Sequence, residues 1–440
     1  MIKKEHTYRF DESLELKGYW FLPEDETNKV AGILYYSPTE GVHLELIGSF
    51  SHNENGIIAA ISEFNKKKPL IYGLTANNQA VTLLNNFSYS GDININCPFA
   101  MMKYKCQIVV IGKYIGSIND TANYKAYIDI DELSQWCQPS IYNTYHGENE
   151  HGSQINAFYY EGNGTSIKDS VDIDDNFSLS LISTATFKIT DTLTHVDLEQ
   201  KTSLKISSHT PISLEDIKRK VFLFEQFLSL ATLRSVECKR IKLEDEDLHD
   251  DINGNKIYDP IYVLYKQENL KNKDENIFLN MLFSYEQVKG DFHHIIKKWY
   301  NETKDIAPIR SHLIDSIQYK SVYSCLDFQI LAYAIEGYCI RFRKEEEFTV
   351  MMEKLISHFK DIKCIQNDNI NIAQLRDSRN QYSHFFKDGK KKNVIDGLEL
   401  LHLTRKLRRL LICCILEFMG LDIPKIQSIT NDCHHSYFKV

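Results

Sequence analysis

The chain is short of the residues that staple or break structure. Nine prolines in 440 residues leave most of its length free to form regular elements. Its ten cysteines are scattered, with no C-x-x-C pair. That spacing offers neither a disulfide framework nor a zinc module, and it fits a reducing compartment. Cys413 and Cys414 are neighbours in an apolar helical stretch and read as packing residues. No apolar run reaches the roughly 20 residues that a membrane-spanning helix needs. Residues 1–6 carry no apolar segment of the kind that opens a signal peptide. The expectation is a cytoplasmic protein with no membrane partner. There is no phosphate-binding loop, no dinucleotide fingerprint and no G-x-S-x-G elbow. Three stretches approach a metal site without making one. His293 and His294 are adjacent in a predicted helix, so their side chains point apart. Cys433, His434 and His435 fall on a terminal tail. Residues 251–255 have their glycine too early for a calcium loop, and no glutamate closes it. No metal and no cofactor is expected.

What is present is ordinary globular composition with an aromatic surplus. The chain is 43% hydrophobic and 25% charged, with 25 Tyr and 23 Phe, which suits sheets and large packed cores. The formal net charge of -9 argues against a surface that binds nucleic acid everywhere, and leaves room for a local basic patch. Residues 1–210 read as short strands separated by Asn, Asp, Ser and Gly: near 14–23, 30–36, 42–48, 70–74, 80–84, 106–115, 157–160, 179–183, 185–189 and 204–207. A short helix is expected within 130–137. This pattern predicts an antiparallel β-sandwich or barrel-like domain. The character changes near Pro211, where Ser213 and Asp216 form a capping signature before an amphipathic helix. Residues 240–275 read as charged and irregular, with one strand at 261–265. Helices are expected at 276–302, 309–317, 322–343, 345–360, 370–386 and 394–419, with Gly420 and Pro424 closing the last. The fold class expected is therefore α+β and multidomain: a β-rich domain over 1–210, a helical connector over 211–304 and an all-α bundle over 305–440.

The most informative stretch is 375–385, in which Arg379, Asn380 and His384 form R-N-x-x-x-H. Ile372, Leu375, Tyr382 and Phe386 mark a core-facing stripe at helical spacing, and Arg379 falls on it. A guanidinium there must be paired, solvated in a cleft, or used. Residues 379 and 384 lie on different sides of an α-helix, whereas Asn380 and His384 share a face. One helix does not converge Arg379 and His384 unless it ends or bends, and a symmetric partner is another way to complete such a site. The helix expected at 322–343 is apolar nearly all round, as in a bundle centre, yet carries Glu336 in its middle. That carboxylate needs a cationic or hydrogen-bonding partner, and Arg379 is available. Lys387, Lys390, Lys391 and Lys392 follow the motif, and Arg405, Lys406, Arg408 and Arg409 line the next helix. This local bias against an acidic chain is one that a phosphate backbone would fit.

At this motif the C-terminal part, roughly 305–435, resembles HEPN ribonucleases, small helical bundles with an R-x(4–6)-H signature. Most of the chain resembles the ApeA-type abortive-infection HEPN proteins. The cues are residues 18–23 (G-Y-W-F-L-P), 32–34 (G-I-L), 44–48 (L-E-L-I-G), 71–75 (I-Y-G-L-T), 81–84 (V-T-L-L), 227–231 (F-L-S-L-A), 298–300 (K-W-Y) and 334–336 (A-I-E). The resemblance implies metal-independent RNA cleavage at a site formed by two protomers of a homodimer or higher oligomer. His384 would be the acid/base group, since an imidazole titrates near neutral pH. Arg379 would stabilise the pentacoordinate phosphate, Asn380 would hold His384 or the substrate, and Glu336 would support Arg379. The product would be a 2′,3′-cyclic phosphate and the first-choice RNA a tRNA. Lys387, Lys390, Lys391 and Lys392 are the candidate RNA contacts, and the β-rich domain would bind a phage-derived trigger. Two competing readings remain at this level. One is a HEPN domain that binds RNA or a partner without cutting. The other is a carbohydrate-binding sandwich in which Tyr19, Trp20, Tyr35 and Tyr36 stack on sugars.

Overall fold

A computed structural model of the protein describes residues 7–51, 64–92, 101–137, 142–148, 152, 154–160, 165–189, 196–267, 280–301, 304–318, 325–345, 347–384 and 393–438. Its first part is built of strands β1 (Leu14–Leu22), β2 (Asp25–Ser37), β3 (Gly41–Ile47), β4 (Lys67–Thr75), β5 (Ala80–Asp92) and β6 (Met101–Ile111). Alternation decides which face goes inward. In β3, Val42, Leu44 and Leu46 are buried while His43, Glu45 and Ile47 are not. The register then lines up one inward row, Leu16 opposite Leu34, Leu34 opposite Leu44, and Leu44 opposite Tyr104. All four side chains are buried, each contributing on the order of 2 kcal/mol by removal from water. Antiparallel pairings run β1–β2–β3–β6–β5–β4 and return to β1, so six strands close into a barrel with no free edge inside it. Trp20 fills the centre because Gly73, directly across from it, has no side chain. A Cβ there would lie 2.3 Å from the indole. Trp20 and Tyr36 are core residues rather than sugar platforms.

The sheet then forks. Residues 101–106 of β6 pair with β3, whereas 108–111 pair with a strand from far along the chain. After β6 come β7 (Thr121–Ala122), β8 (Tyr124–Ile130), a one-turn helix α1 (Leu133–Trp136), and the strands β9 (Tyr142–Glu148), β10 (Gln154–Tyr160), β11 (Thr165–Asp172), β12 (Phe177–Ile189), β13 (Val196–Ser208) and β14 (Ile212–Ser213). The single strand β12 replaces the two expected at 179–183 and 185–189. Helix α2 (Leu214–Thr232) follows, then β15 (Cys238–Asp245), β16 (His249–Ile252), β17 (Asn255–Tyr258) and β18 (Ile261–Tyr265). Strand β18 joins β6, and the sheet continues through β15, β8, β13 and β12 to β11. The β-rich part thus runs past residue 210 to Tyr265. The stretch expected to be irregular contributes β15 because Ile241, Leu243 and Asp245 alternate inward with its lysines outward. Asp245 is buried there against the Lys113 ammonium.

Helix α2 starts as the capping signature predicts. Ser213 Oγ accepts from the Asp216 amide at 3.1 Å, and donates to the Asp216 carboxylate at 2.8 Å. Its apolar face meets an aromatic cluster in which Phe227 lies edge-on to Trp136 at 5.5 Å and to Trp299 at 5.8 Å. The Trp136 indole donates to the Phe283 carbonyl at 2.9 Å, and that of Trp299 to the Leu223 carbonyl at 2.7 Å. Instead of one helix at 276–302, the described residues there hold α3 (Tyr285–Val288) and α4 (Phe292–Tyr300), interrupted at Gly290 and Asp291.

The helical region continues with α5 (Ala307–Gln318), α6 (Cys325–Tyr338), a π-helical turn at Cys339–Arg343, α7 (Phe348–His358), α8 (Lys363–Asp368), α9 (Ile372–His384), α10 (Gly397–Phe418) and α11 (Ile423–Asp432). The helix buried nearly all round is α10, with every residue from Leu407 to Leu416 inside, Cys413 and Cys414 included. Helix α6, expected to be the enclosed one, buries Phe328, Leu331, Ile335 and Tyr338 but leaves Leu326 and Tyr333 at 60% and 41% exposure, and Ile340 of the π-helical turn is 50% exposed. Gly420, at φ +95°, ends α10 as expected. Pro424 instead begins α11, since the first turn needs no amide donor from it and Asp422 caps the Lys425 amide at 2.9 Å. No helix among the described residues is long and apolar enough to cross a membrane.

Candidate functional site

Helix α9 carries the motif, and it is held on one side by α6 and on another by α7. Leu375 is its buried anchor, and Tyr382 packs edge-on against Phe328 of α6 at 6.1 Å. Burial also pushes the Tyr382 phenol up from its ordinary value. Ile372 packs partly buried on the same core, while Phe386 lies outside the described residues. Two further residues, Asp377 and Ser378, are buried although polar. Asn393 donates to Asp377 Oδ2 at 2.9 Å, the Ile395 amide donates to Ser378 Oγ at 3.1 Å, and the Tyr382 hydroxyl donates to the Ile395 carbonyl at 2.9 Å. These bonds tie residues 393–395 back onto α9. Residues 385–392 lie outside the described residues, so the candidate RNA contacts Lys387, Lys390, Lys391 and Lys392 have no place in this geometry.

Arg379 is the paired cation that the stripe requires. Its Nη2 donates to Glu336 Oε2 at 2.5 Å, and both side chains are 21% exposed. Its Nη1 donates to Asn380 Oδ1 at 3.1 Å. The guanidinium lies 5.7 Å from the centre of the Tyr333 ring and 5.3 Å from that of Phe348, an aromatic clamp from α6 and α7. Its Nε is buried with no hydrogen-bond partner among the described residues. Ser383 donates to the Arg379 carbonyl at 2.6 Å and lies 2.5 Å from the Tyr333 hydroxyl. A serine has one hydrogen to give, so Tyr333 is the donor in that contact. The structure therefore brings together Glu336, Arg379 and Asn380. It places His384 at the last residue of α9, exposed and five residues beyond Arg379. Helical rotation puts the two about 140° apart and some 7.5 Å along the axis. The Asn380 Oδ1 is engaged by Arg379.

Reading the sequence alone missed Tyr333, Phe348 and Ser383. Tyr333 precedes Glu336 by three residues, on the same face of α6, which was a signal available in the spacing. Phe348 comes from a separate helix and gave none. The basic stripe of α10 also needs correction. Arg408 and Arg409 are buried, so they face no RNA. Arg408 donates to Asp327 Oδ2 at 2.6 Å and to Ser316 Oγ at 2.9 Å. Arg409 grips both carboxylate oxygens of Asp368 and donates to the Tyr437 carbonyl at 2.5 Å. Burial raises the Asp368 carboxyl, and the Arg409 guanidinium opposes that rise. Of the basic residues expected along α10, Arg405 is exposed and Lys406 half-buried. No group of three His, Cys, Asp or Glu side chains that could hold a metal ion occurs among the described residues.

Comparison with known families identifies both parts of the chain. The model of ApeA N-terminal domain 1 matches residues 15–299, well over half of the chain. The chain belongs to the ApeA family. A second model, the ApeA-like HEPN domain, matches residues 331–423. That span holds Glu336, Arg379, Asn380 and His384. This ApeA protein is thus of the abortive-infection, HEPN nuclease type: an N-terminal antiparallel barrel and sheet, then a C-terminal HEPN helical region. No curated protein and no solved structure matches the chain.

Proposed function

We propose that this ApeA protein is a cytoplasmic, metal-independent endoribonuclease of antiphage defence that cuts RNA, tRNA first among the choices, through Arg379, Asn380 and His384. The observation that carries this reading is the clamped guanidinium of Arg379 on the helix whose exposed end is His384. A charge that has been desolvated, oriented by Glu336 and left with spare N–H donors is prepared for an anion that arrives only with substrate. In the reaction His384 takes the 2′-hydroxyl proton, or gives one to the departing 5′-oxygen. Arg379 stabilises the phosphorane, and a 2′,3′-cyclic phosphate is left. Asn380 positions Arg379, and Glu336 holds it.

The active unit in this reading is a homodimer or higher oligomer. Two observations favour a second copy. Arg379 and His384 are separated around α9, and the exposed apolar stripe of Leu326, Tyr333 and Ile340 runs along α6 and the π-helical turn that follows it at seven-residue spacing, flanking Glu336. Covering that stripe with its own copy brings two motifs to one interface. Lys387, Lys390, Lys391 and Lys392 would then receive the RNA backbone, and the β-rich part would hold a phage-derived trigger. The domain division proposed remains a β-rich unit, a connector and a HEPN unit. A HEPN domain that binds RNA without cutting is the alternative.

The test is end-mapping of RNA from cells challenged with phage, with wild type compared against Arg379→Ala and His384→Ala. New 2′,3′-cyclic phosphate ends in wild type alone, formed in the purified reaction with chelator present, are the expected result. Phage restriction by all three proteins with identical RNA would overturn the enzyme reading in favour of the binding one.

A further inference from the structure

Where β6 leaves β3 for β18, the fork opens a groove of about 500 Å³ on the outside of the barrel. Three lysines from three elements line it: Lys105 of β6, Lys218 of α2 and Lys266 just after β18, with Glu40 as the one carboxylate among the lining residues. Neither Lys105 nor Lys266 has an ion-pair partner among the described residues. Lys218 has Glu215 at 3.7 Å and sits 5.1 Å from the centre of the Tyr265 ring. Gly41 lets Lys266 in, for at φ +84° it favours glycine, and a Cβ there would come 2.9 Å from that of Lys266. Directly across from Lys105 stands Phe87, on the solvent face of β5 and 38% exposed. Like charges gathered on a protein of net charge -9 are a local inversion of the surface field.

A ligand that answers all of this is an anion of charge two or three carrying a flat ring. The anionic end neutralises the lysines, and the ring lies on Phe87, as bases do on exposed aromatic side chains. The volume is in the range of small-molecule sites, roughly 300–1,000 Å³. We propose that this groove binds a free nucleotide, with its phosphates on Lys105, Lys218 and Lys266 and its base against Phe87. The wall residues Lys218, Tyr265 and Lys266 also border a second groove of about 650 Å³, which reaches Ile314, Asp315 and Gln318 of α5. The occupant would therefore sit beside the junction between the sheet and the helical region. Binding is read without RNA cleavage, so this proposal and the nuclease reading fail separately.

The test is calorimetric titration of the full-length protein with ADP, pyrophosphate and adenosine at low salt, for wild type, Lys105→Ala/Lys266→Ala and Phe87→Ala. These side chains lie at a surface groove, and circular dichroism checks that each variant is folded. ADP is expected to bind wild type and to weaken about tenfold per lysine removed. Phe87→Ala should weaken ADP at least about tenfold while leaving pyrophosphate unchanged. Absence of ADP binding at millimolar concentration, or binding unchanged in the lysine variant, overturns the proposal. ADP and pyrophosphate binding equally, with Phe87→Ala neutral, overturns the nucleotide assignment in favour of a bare anion site. Displacement of ADP by a ten-nucleotide RNA at equal concentration overturns the free-nucleotide source in favour of an RNA strand.

Discussion

Glu336→Gln is the substitution that probes the site most sharply, because it keeps the shape and one acceptor oxygen while replacing the carboxylate by a neutral amide. Two opposite charges about 4 Å apart, at an effective dielectric near 20, attract by roughly 4 kcal/mol before desolvation is counted. The Arg379 and Glu336 side chains are each 21% exposed, so part of that attraction is screened and part is offset by their burial. Tyr333 and Phe348 continue to clamp the guanidinium in the variant. The net loss expected is therefore about 2 kcal/mol, of the order seen when a charged hydrogen bond loses its partner. Thermal denaturation should show a fall of a few degrees, with the fold intact. Cleavage is the more telling measurement. If Glu336 fixes the direction from which Arg379 meets phosphate, kcat should fall about 10- to 100-fold while KM changes little. A lowered melting temperature with undiminished cleavage would show that the pair serves only the fold, and would refute the positioning argument. Unchanged values of both would show that the contact does not hold Arg379 at all.

Three other perturbations follow from the same reasoning. Arg409→Ala strands the Asp368 carboxylate in the core and should cost about 3–5 kcal/mol by chemical denaturation. Arg409→Met combined with Asp368→Leu should recover most of that loss, which a surface RNA-binding role would not predict. Glu225, whose Oε1 accepts from the Cys238 amide at 2.9 Å, has its carboxyl pushed up from 4.5 to about 8 by burial, against that hydrogen bond. Between those values the unfolded chain has lost a proton that the folded one keeps. Stability should therefore fall by about 2–4 kcal/mol as pH rises from 4.5 to 8 and level off above. Glu225→Gln should flatten that part of the curve, as urea titrations across the range would show. Leu326→Asp with Ile340→Asp puts charge on the exposed stripe of α6 and the π-helical turn after it without touching the buried face. Sedimentation should show self-association weakened by more than tenfold, and an unchanged dimer would place the interface elsewhere.

The barrel was legible because its strands alternate. Residues 30–36 of β2 and Gly41–Ile47 each declare an inward face, and a period of two is hard to mistake. The fork in β6 was not, because it depends on a partner more than 150 residues away. Nothing in residues 108–111 says that their neighbour is 262–265 rather than a continuation of β3. Strand β15 was hidden for a different reason. Its lysines and arginine look like those of a charged linker, and only the burial of Ile241, Leu243 and Asp245 shows that the charges occupy one side of a half-covered strand. Pro424 misled in the usual manner of proline. The same missing amide that stops one helix is harmless in the first turn of the next, and only the Asp422 cap decides between the two.

The site was legible through a contradiction. Arg379 on an apolar stripe demanded a counter-charge, Glu336 on an apolar helix demanded one as well, and each is the other's answer. Two buried-charge anomalies in one helical region constrain each other more tightly than any single motif does. The same logic, applied to Arg408 and Arg409, should have found Asp327 and Asp368. The density of basic residues at 405–409 hides these partners until each residue is placed on the helix. At 100° per residue, 408 and 409 stack on the buried apolar positions 411–413 one turn on, whereas Arg405 lies one turn earlier, where the helix is still partly exposed. A charge run that is in phase with the apolar stripe of its helix points inward. Phase, rather than the density of lysine and arginine, identifies the cations that hold this bundle together.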